Sequence, residues 1–187
     1  MPESRPPITV AGQSLAEIAA AIAGKSLPPV EGWDPPLCGH SGMRIAADGA
    51  WYHDGAPISR RAMVRLFATV LRREPDGGHV LVTPREKLAI DVDLTAFRAV
   101  AMTHEGQGDR RRIAFELDSG DALILGAAHP LRVVDDGHGP SPRLAVRHGL
   151  EALVARPLYY ELADIALAEG HDPPGIWSDG CFFPLQP

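Results

Sequence analysis

Cys38, His40 and Ser41 fall within four residues of one another in the stretch CGHSGMR, residues 38–44. A thiol, an imidazole and a hydroxyl so close together could form a nucleophile or a metal site. A Gly-x-Ser-x-Gly nucleophile elbow needs its second glycine two residues after the serine, where the backbone turns sharply from strand to helix. Met43 holds that position, and Asp34-Pro-Pro-Leu37 precedes the motif in place of a buried strand. A metal centre would draw on Cys38, His40, His53 and Cys181. No Cys-x-x-Cys or His-Glu-x-x-His spacing supports it. The remaining reading is structural: Cys38 is expected to pack as a small hydrophobe where a linker meets the first strand.

Three other stretches carry side chains suited to a ligand. Thr83-Pro84-Arg85-Glu86-Lys87 has a structural reading, with Thr83 capping a turn and Glu86 reaching back. Its functional reading turns Thr83 and Lys87 toward an anion. Trp51-Tyr52-His53-Asp54-Gly55 places Trp51 and His53 on one strand face and Tyr52 on the other. Packing is the default for such an aromatic; stacking on a ring beside Arg60 is the alternative. Arg110–Arg112 reads as the solvated start of a strand. Neither a Gly-x-x-x-x-Gly-Lys loop nor a Gly-x-Gly-x-x-Gly turn occurs, which excludes the standard nucleotide folds.

Composition narrows the class. The chain has 187 residues, 45% hydrophobic and 22% charged, as in ordinary globular proteins. No apolar stretch approaches the roughly 20 residues of a membrane span. The N-terminal residues lack the pattern of an export signal. Two cysteines give no disulfide framework and fit a reducing cytoplasm. A net charge of −6 argues against general nucleic-acid binding. Sixteen of the 18 basic residues are arginine; Lys25 and Lys87 are the lysines.

The positioning elements follow from periodicity. Residues 1–12 are Pro-rich and read as a flexible arm. Ser14 and Glu17 form a capping box for a helix ending at Gly24, with Leu15, Ile18, Ala19 and Ile22 on one face. Prolines at 28, 29, 35 and 36 predict an extended linker. Residues 43–55 predict a hairpin turning at Asp48-Gly49. A helix is predicted from Ser59 as N-cap through Arg73, with Met63, Leu66, Phe67, Val70 and Leu71 as its stripe. Strands are predicted near 79–83, 87–93, 97–103, 111–117, 121–125, 130–134 and 143–147. Helix is expected again over 149–155 and from Pro157 to about Glu169. The apolar tail GIWSDGCFFPLQP is expected to cover a groove or core edge.

An internal echo suggests duplication. Arg44-Ile-Ala and Gly49 to Pro57 are matched by Arg143-Leu-Ala and Gly149 to Pro157. LVTPREKLAIDV (81–92) is likewise echoed by LILGAAHPLRVV (123–134). The fold class expected is α+β, with two similar strand-rich subdomains, each with a packed helix, at 13–94 and 95–187.

Four ordered blocks carry a family likeness: MRIAADGAWYHDGAPISRRAMVRLF, LVTPREKLAIDV, VRHGLEALVARPLYYEL and GIWSDGCFFPL. Together they resemble the bacterial domain-of-unknown-function family 1285. The resemblance implies a duplicated core, a C-terminal half loosely like pleckstrin-homology folds, a small-ligand site between the halves for a nucleotide-like molecule, and a signalling role. The chain departs from the family pattern at His40-Ser41-Gly42, where two acidic residues are missing near that implied site. Taken with the residues themselves, the expected function is cytoplasmic binding of a small anionic ligand. The candidate ligand-binding residues are Arg44, Trp51, His53, Arg60, Thr83 and Lys87, with Tyr159, Trp177 and Ser178 from the second half. Arg and Lys would neutralise phosphate and Trp51 would stack. A protein-interaction module working through the tail is one alternative. A hydrolase using His53 with Glu86 or Asp54 is the other. No catalytic residue, metal or cofactor is assigned.

Overall fold

A computed structural model describes residues 6–187. Its helices are α1 (Leu15–Ala23), α2 (Arg61–Thr69) and α3 (Arg156–Glu169). Two compact units emerge: residues 26–96 with 147–150, and residues 7–25, 97–146 and 151–187. Among the described residues no helix is long and apolar enough to cross a membrane.

The first unit holds β1 (Leu37–Ile45), β2 (Trp51–His53), β3 (Ala56–Pro57), β4 (Leu71–Arg73), β5 (His79–Val82) and β6 (Lys87–Val92). They form one sheet in the order β3-β2-β1-β6-β5-β4, with β1 parallel to β6. The β1–β2 turn forms as predicted: Gly49 takes φ +88°, and the Asp48 carboxylate accepts from the Ala50 N–H (2.9 Å). Strand β1 is irregular. Its register against β6 shifts twice, and Gly39 and Gly42 adopt φ of +128° and +73°.

The second unit holds β7 (Phe97–Glu105), β8 (Arg112–Leu117), β9 (Ala122–Ile124), β10 (Leu131–Asp135), β11 (Pro140–Arg147) and β12 (Leu150–Val154). A separate hairpin pairs β13 (Gly175–Ser178) with β14 (Cys181–Pro184). The second sheet runs β10-β11-β12-β7-β8-β9, with β12 parallel to β7. Read from its other edge, this is the order of the first sheet. Each sheet is therefore two three-stranded meanders joined by the parallel pairing of its first and last strands. The fold is α+β and duplicated. The helices break the repeat: α2 falls between the third and fourth strands of its sheet, whereas α3 follows the sixth.

That topology reassigns the sequence echoes. Arg44-Ile-Ala and Arg143-Leu-Ala begin similar strand–turn–strand–helix segments, but β1 and β11 occupy different positions in their sheets. In the second echo β5 and β6 pair, whereas β9 and β10 lie at opposite ends of the sheet order.

Four expected boundaries move. Residues 8–10 are not a loose arm: Ile8 and Val10 are buried with Leu15 and Ile18 in one cluster, and the Ile8 N–H donates to Gly120 O (3.0 Å). Helix α1 consequently belongs to the second unit, tied by the Leu15 N–H to Glu105 (2.9 Å). Helix α2 starts after Arg60, with no side-chain cap from Ser59, and ends at Thr69, because Leu71–Arg73 pair with β5. Residues 150–154 form a strand, not a helix. Leu150, Ala152 and Val154 alternate into the core, and this tertiary pattern overrides the helix propensity of Leu-Glu-Ala.

One turn has a pH signature. Asp118, in the β8–β9 turn, accepts from the Arg98 N–H (3.1 Å). Burial of its carboxyl pushes the pKa up to about 6 from 3.8. Because the folded state holds the proton more tightly, this contribution to stability is present below about pH 4 and is lost as pH rises through 6. The full difference is worth about 3 kcal/mol. The residue as a whole is exposed, so water screens the carboxyl and we expect about 1 kcal/mol or less. An asparagine side chain in its place would keep an oxygen for the Arg98 N–H without the ionisable group. The substitution Asp118→Asn should therefore gain stability relative to wild type as pH rises from 4 to 7, measured by urea midpoint. An identical difference at both pH values contradicts this.

Candidate functional site

The bulges of β1 turn its polar side chains into a charged row on the first unit. His40 accepts the Gly42 N–H at Nδ1 (2.9 Å), leaving Nε2 3.4 Å from Asp91. Arg44 Nε donates to Asp93 (2.9 Å), and its second nitrogen pairs with the same carboxylate. The guanidinium stands 6.0 Å from the Tyr52 ring centre. The hydrogen bond from Arg44 lowers the Asp93 pKa, and the same bond raises that of Arg44. His53 Nε2 is 3.6 Å from Asp54, whose backbone takes φ +47°. The Gly42 backbone faces Asp54 so closely that any Cβ there would collide with its carboxylate.

This row settles the opening motif. Ser41 Oγ donates to Ala89 O (2.8 Å) and accepts the Met43 N–H (3.1 Å), so it is a strand-locking group rather than a nucleophile. Cys38 is exposed and not packed as a small hydrophobe; its thiol donates to Pro36 O (3.3 Å). Among the described residues no three His, Cys, Asp or Glu side chains come together as a metal site.

The other predicted residues of this unit separate from the row. Trp51 is 5% exposed and stacks on Phe67 (centroids 6.5 Å), so it packs the core and offers no open face to a ring. Thr83 caps its turn, accepting the Glu86 N–H (3.1 Å) and the Arg85 N–H (3.4 Å). Lys87, 13% exposed, is paired with Asp34 (3.3 Å) and Glu74 (3.4 Å). Arg72 bonds the other oxygen of Glu74 (2.7 Å) and donates to Val30 O and Trp33 O (2.7 Å each). Lys87 thus helps pin the 30–34 linker. It pairs with Leu37, whereas Arg44 pairs with Asp91, four residues further along β6; that is roughly 13 Å along the strand. The structure does not bring Thr83 and Lys87 to Arg44 and His53. Arg60 is exposed immediately before α2 and is paired with no carboxylate among the described residues.

Within the second unit, Tyr159 donates its hydroxyl to Leu185 O (2.7 Å), tying α3 to the tail. Desolvation raises its pKa. Ser178 is wholly buried; it accepts the Ile113 N–H (2.9 Å) and donates to Leu125 O (2.7 Å). Both hydroxyls are occupied by backbone partners. Trp177 is half-buried against Phe182 (5.4 Å), which also meets the edge of His171 (5.3 Å).

Sequence reasoning missed one ionic cluster here. Arg111 is 5% exposed and not a solvated strand start; it donates to Glu169 (2.6 Å) at the end of α3. Glu169 also accepts the Gly108 N–H (3.3 Å) and lies 3.5 Å from His171. The partners are 58 residues apart in sequence. The one signal available was Gly106 and Gly108 before three arginines, a turn tight enough to direct one of them inward.

Residues 28–95 match "Domain of unknown function (DUF1285), N-terminal domain", and residues 96–185 match "Protein of unknown function (DUF1285), C-terminal domain". The crystal structure of a DUF1285 family protein from Silicibacter pomeroyi DSS-3 is 42% identical. It superposes with a TM-score of 0.81 over 94% of this chain and 96% of that one. A second DUF1285 family structure, from Shewanella baltica OS155, shares the fold at 20% identity and a TM-score of 0.51, over 66% of this chain and 91% of that one. No curated protein matches the chain. With both domains matched in order across residues 28–185 and a relative aligned over nearly its whole length, the chain belongs to the DUF1285 family.

Proposed function

We propose that the chain is a binding protein for a small anionic ligand, anchored by the exposed arginines at the start of α2. One observation carries this reading. In a chain of net charge −6, residues 55–73 contain five arginines and no carboxylate. Arg72 is engaged by Glu74, and Arg73 Nε by Gly77 O (3.3 Å). That leaves Arg60, Arg61 and Arg65. Arg60 and Arg61 are exposed, and the first turn of α2 has neither a side-chain cap nor an acidic residue. The positive end of the helix therefore adds to the arginines. Guanidinium groups bind phosphate bidentately, which favours a phosphate-bearing ligand.

A nucleotide-like ligand, a signalling role and a cytoplasmic location belong to this same reading; the two free thiols are consistent with a reducing compartment. The hydrolase alternative is weaker. His53 and Asp54 are 54% and 76% exposed, and so open a pair lacks the desolvation that tunes an acid–base couple. The tail alternative is also weaker, because Ile176, Phe183 and Leu185 are already buried within the second unit. The test is a thermal-shift panel of nucleotides, phosphosugars and pyrophosphate. A ligand at a hundred times its Kd adds about 2.7 kcal/mol, or roughly 5–10 °C for a chain of this size. The shift should vanish in Arg60→Ala/Arg61→Ala; a shift that survives this double substitution overturns the assignment.

A further inference from the structure

We propose that copies of this chain associate by laying the outer face of α2 from one copy on the outer face of α3 from another. Among the described residues six large hydrophobic side chains are exposed, and four of them lie on these two helices. On α2, Met63 is 40% and Leu66 53% exposed. They stand one turn apart with exposed Ala62, and exposed Arg60 lies one turn before Met63. On α3, Tyr160 is 58% and Leu167 69% exposed. They lie two turns apart on one stripe, with Asp164 between them and Glu161 alongside, both exposed.

Each helix already buries its other side: Ala68 on α2, and Leu162 and Ala166 on α3. The outer faces are therefore second, unpartnered apolar surfaces. Their charges choose the partner. The N-terminal edge of the α2 face carries exposed Arg60, next to exposed Arg61, and the face has no carboxylate, whereas the α3 stripe carries Asp164 with Glu161 alongside. Pairing α2 with α2, or α3 with α3, would oppose like charges. Pairing α2 with α3 matches apolar to apolar and cation to anion. Glu169 takes no part, because Arg111 holds it. A contact between two such short faces is small beside the ~1,200 Å² that specific interfaces bury. The association is therefore weak, dependent on concentration and sensitive to salt.

This inference rests on the reading that Arg60 and Arg61 seek anions, so a bound phosphate ligand competes with the second copy. The test is sedimentation velocity on the full chain from about 10 to 300 µM, at low salt and in about 0.5 M sodium chloride. The mass should rise with concentration at low salt and fall back to the monomer at high salt. Arg60→Glu/Arg61→Glu and Glu161→Arg/Asp164→Arg should each remain monomeric. An equimolar mixture of the two should associate at least about tenfold more tightly than either alone. Leu66→Ser and Leu167→Ser replace the charge reversals if those disturb folding. A wild type that stays monomeric throughout, or self-association that both reversals retain, overturns the proposal. Monomeric wild type that still binds pyrophosphate through Arg60 and Arg61 sinks this inference alone. Self-association without any pyrophosphate binding sinks the small-ligand reading alone.

Discussion

Replacing Glu169 with alanine should lower stability by about 3–5 kcal/mol. The reason is the charge left behind. Arg111 is only 6% exposed at its side chain and Glu169 19%, and they meet at 2.6 Å. Two further nitrogens of Arg111, Nε and Nη1, are buried without a hydrogen-bond partner among the described residues. Without the carboxylate, a guanidinium that cannot lose its proton stays buried and unpaired. The midpoint of melting should fall by on the order of 10 °C. Arg111→Met/Glu169→Leu removes both charges and should cost much less than Glu169→Ala, because no orphaned ion remains. The pair also sets a pH dependence. The hydrogen bond from Arg111 holds the Glu169 carboxyl below its ordinary value of 4.5. Its stabilising contribution is present above that value and is lost as pH falls through the lowered one. Urea denaturation of the three proteins at pH 7 and pH 3 checks both statements. A loss below about 1 kcal/mol in Glu169→Ala contradicts the buried-pair account.

Ser178→Ala should cost about 2–4 kcal/mol, more than most single hydroxyl deletions. Its hydroxyl satisfies a donor and an acceptor at once, the Ile113 N–H and Leu125 O, and all three groups are buried. Alanine fits the space but leaves both backbone groups dry and unpaired. The effect should be local as well as global. Amide exchange at Ile113 should accelerate in the variant, because this amide at the start of β8 loses its acceptor. Unchanged exchange at Ile113 would show that another group takes over the bond.

Local signals are legible in the sequence, and long-range ones are not. The Asp48-Gly49 hairpin, the Ser14–Glu17 capping box and the Thr83 turn each rest on partners within a few residues, and all three form. Strand β12 escapes sequence reading because Leu-Glu-Ala-Leu-Val favours helix locally, and its pairing between β11 and β7 makes it a strand. The buried part of the α2 stripe is narrower than its periodicity suggests. Phe67 turns inward to Trp51, whereas Met63 and Leu66 face out, and periodicity alone cannot tell which half of a stripe finds a partner. At the candidate site the residue types are informative but their partners are not. Lys87 is conspicuous as a rare lysine, yet Asp34 and Glu74 already hold it. Trp51 is conspicuous as an aromatic beside arginine, yet it is core. Arg60 and Arg61, which pair with no carboxylate among the described residues, are distinguished only once the carboxylates have folded elsewhere.

Isothermal titration of pyrophosphate into the full chain at low salt tests the anion-binding claim most directly. Wild type should release or absorb heat with a saturable isotherm, and Arg60→Ala/Arg61→Ala should give none. Arg85→Ala/Arg110→Ala, which removes two exposed arginines elsewhere and changes net charge equally, should bind as wild type does. A flat wild-type titration, or equal weakening by both double substitutions, would contradict a specific site at the start of α2.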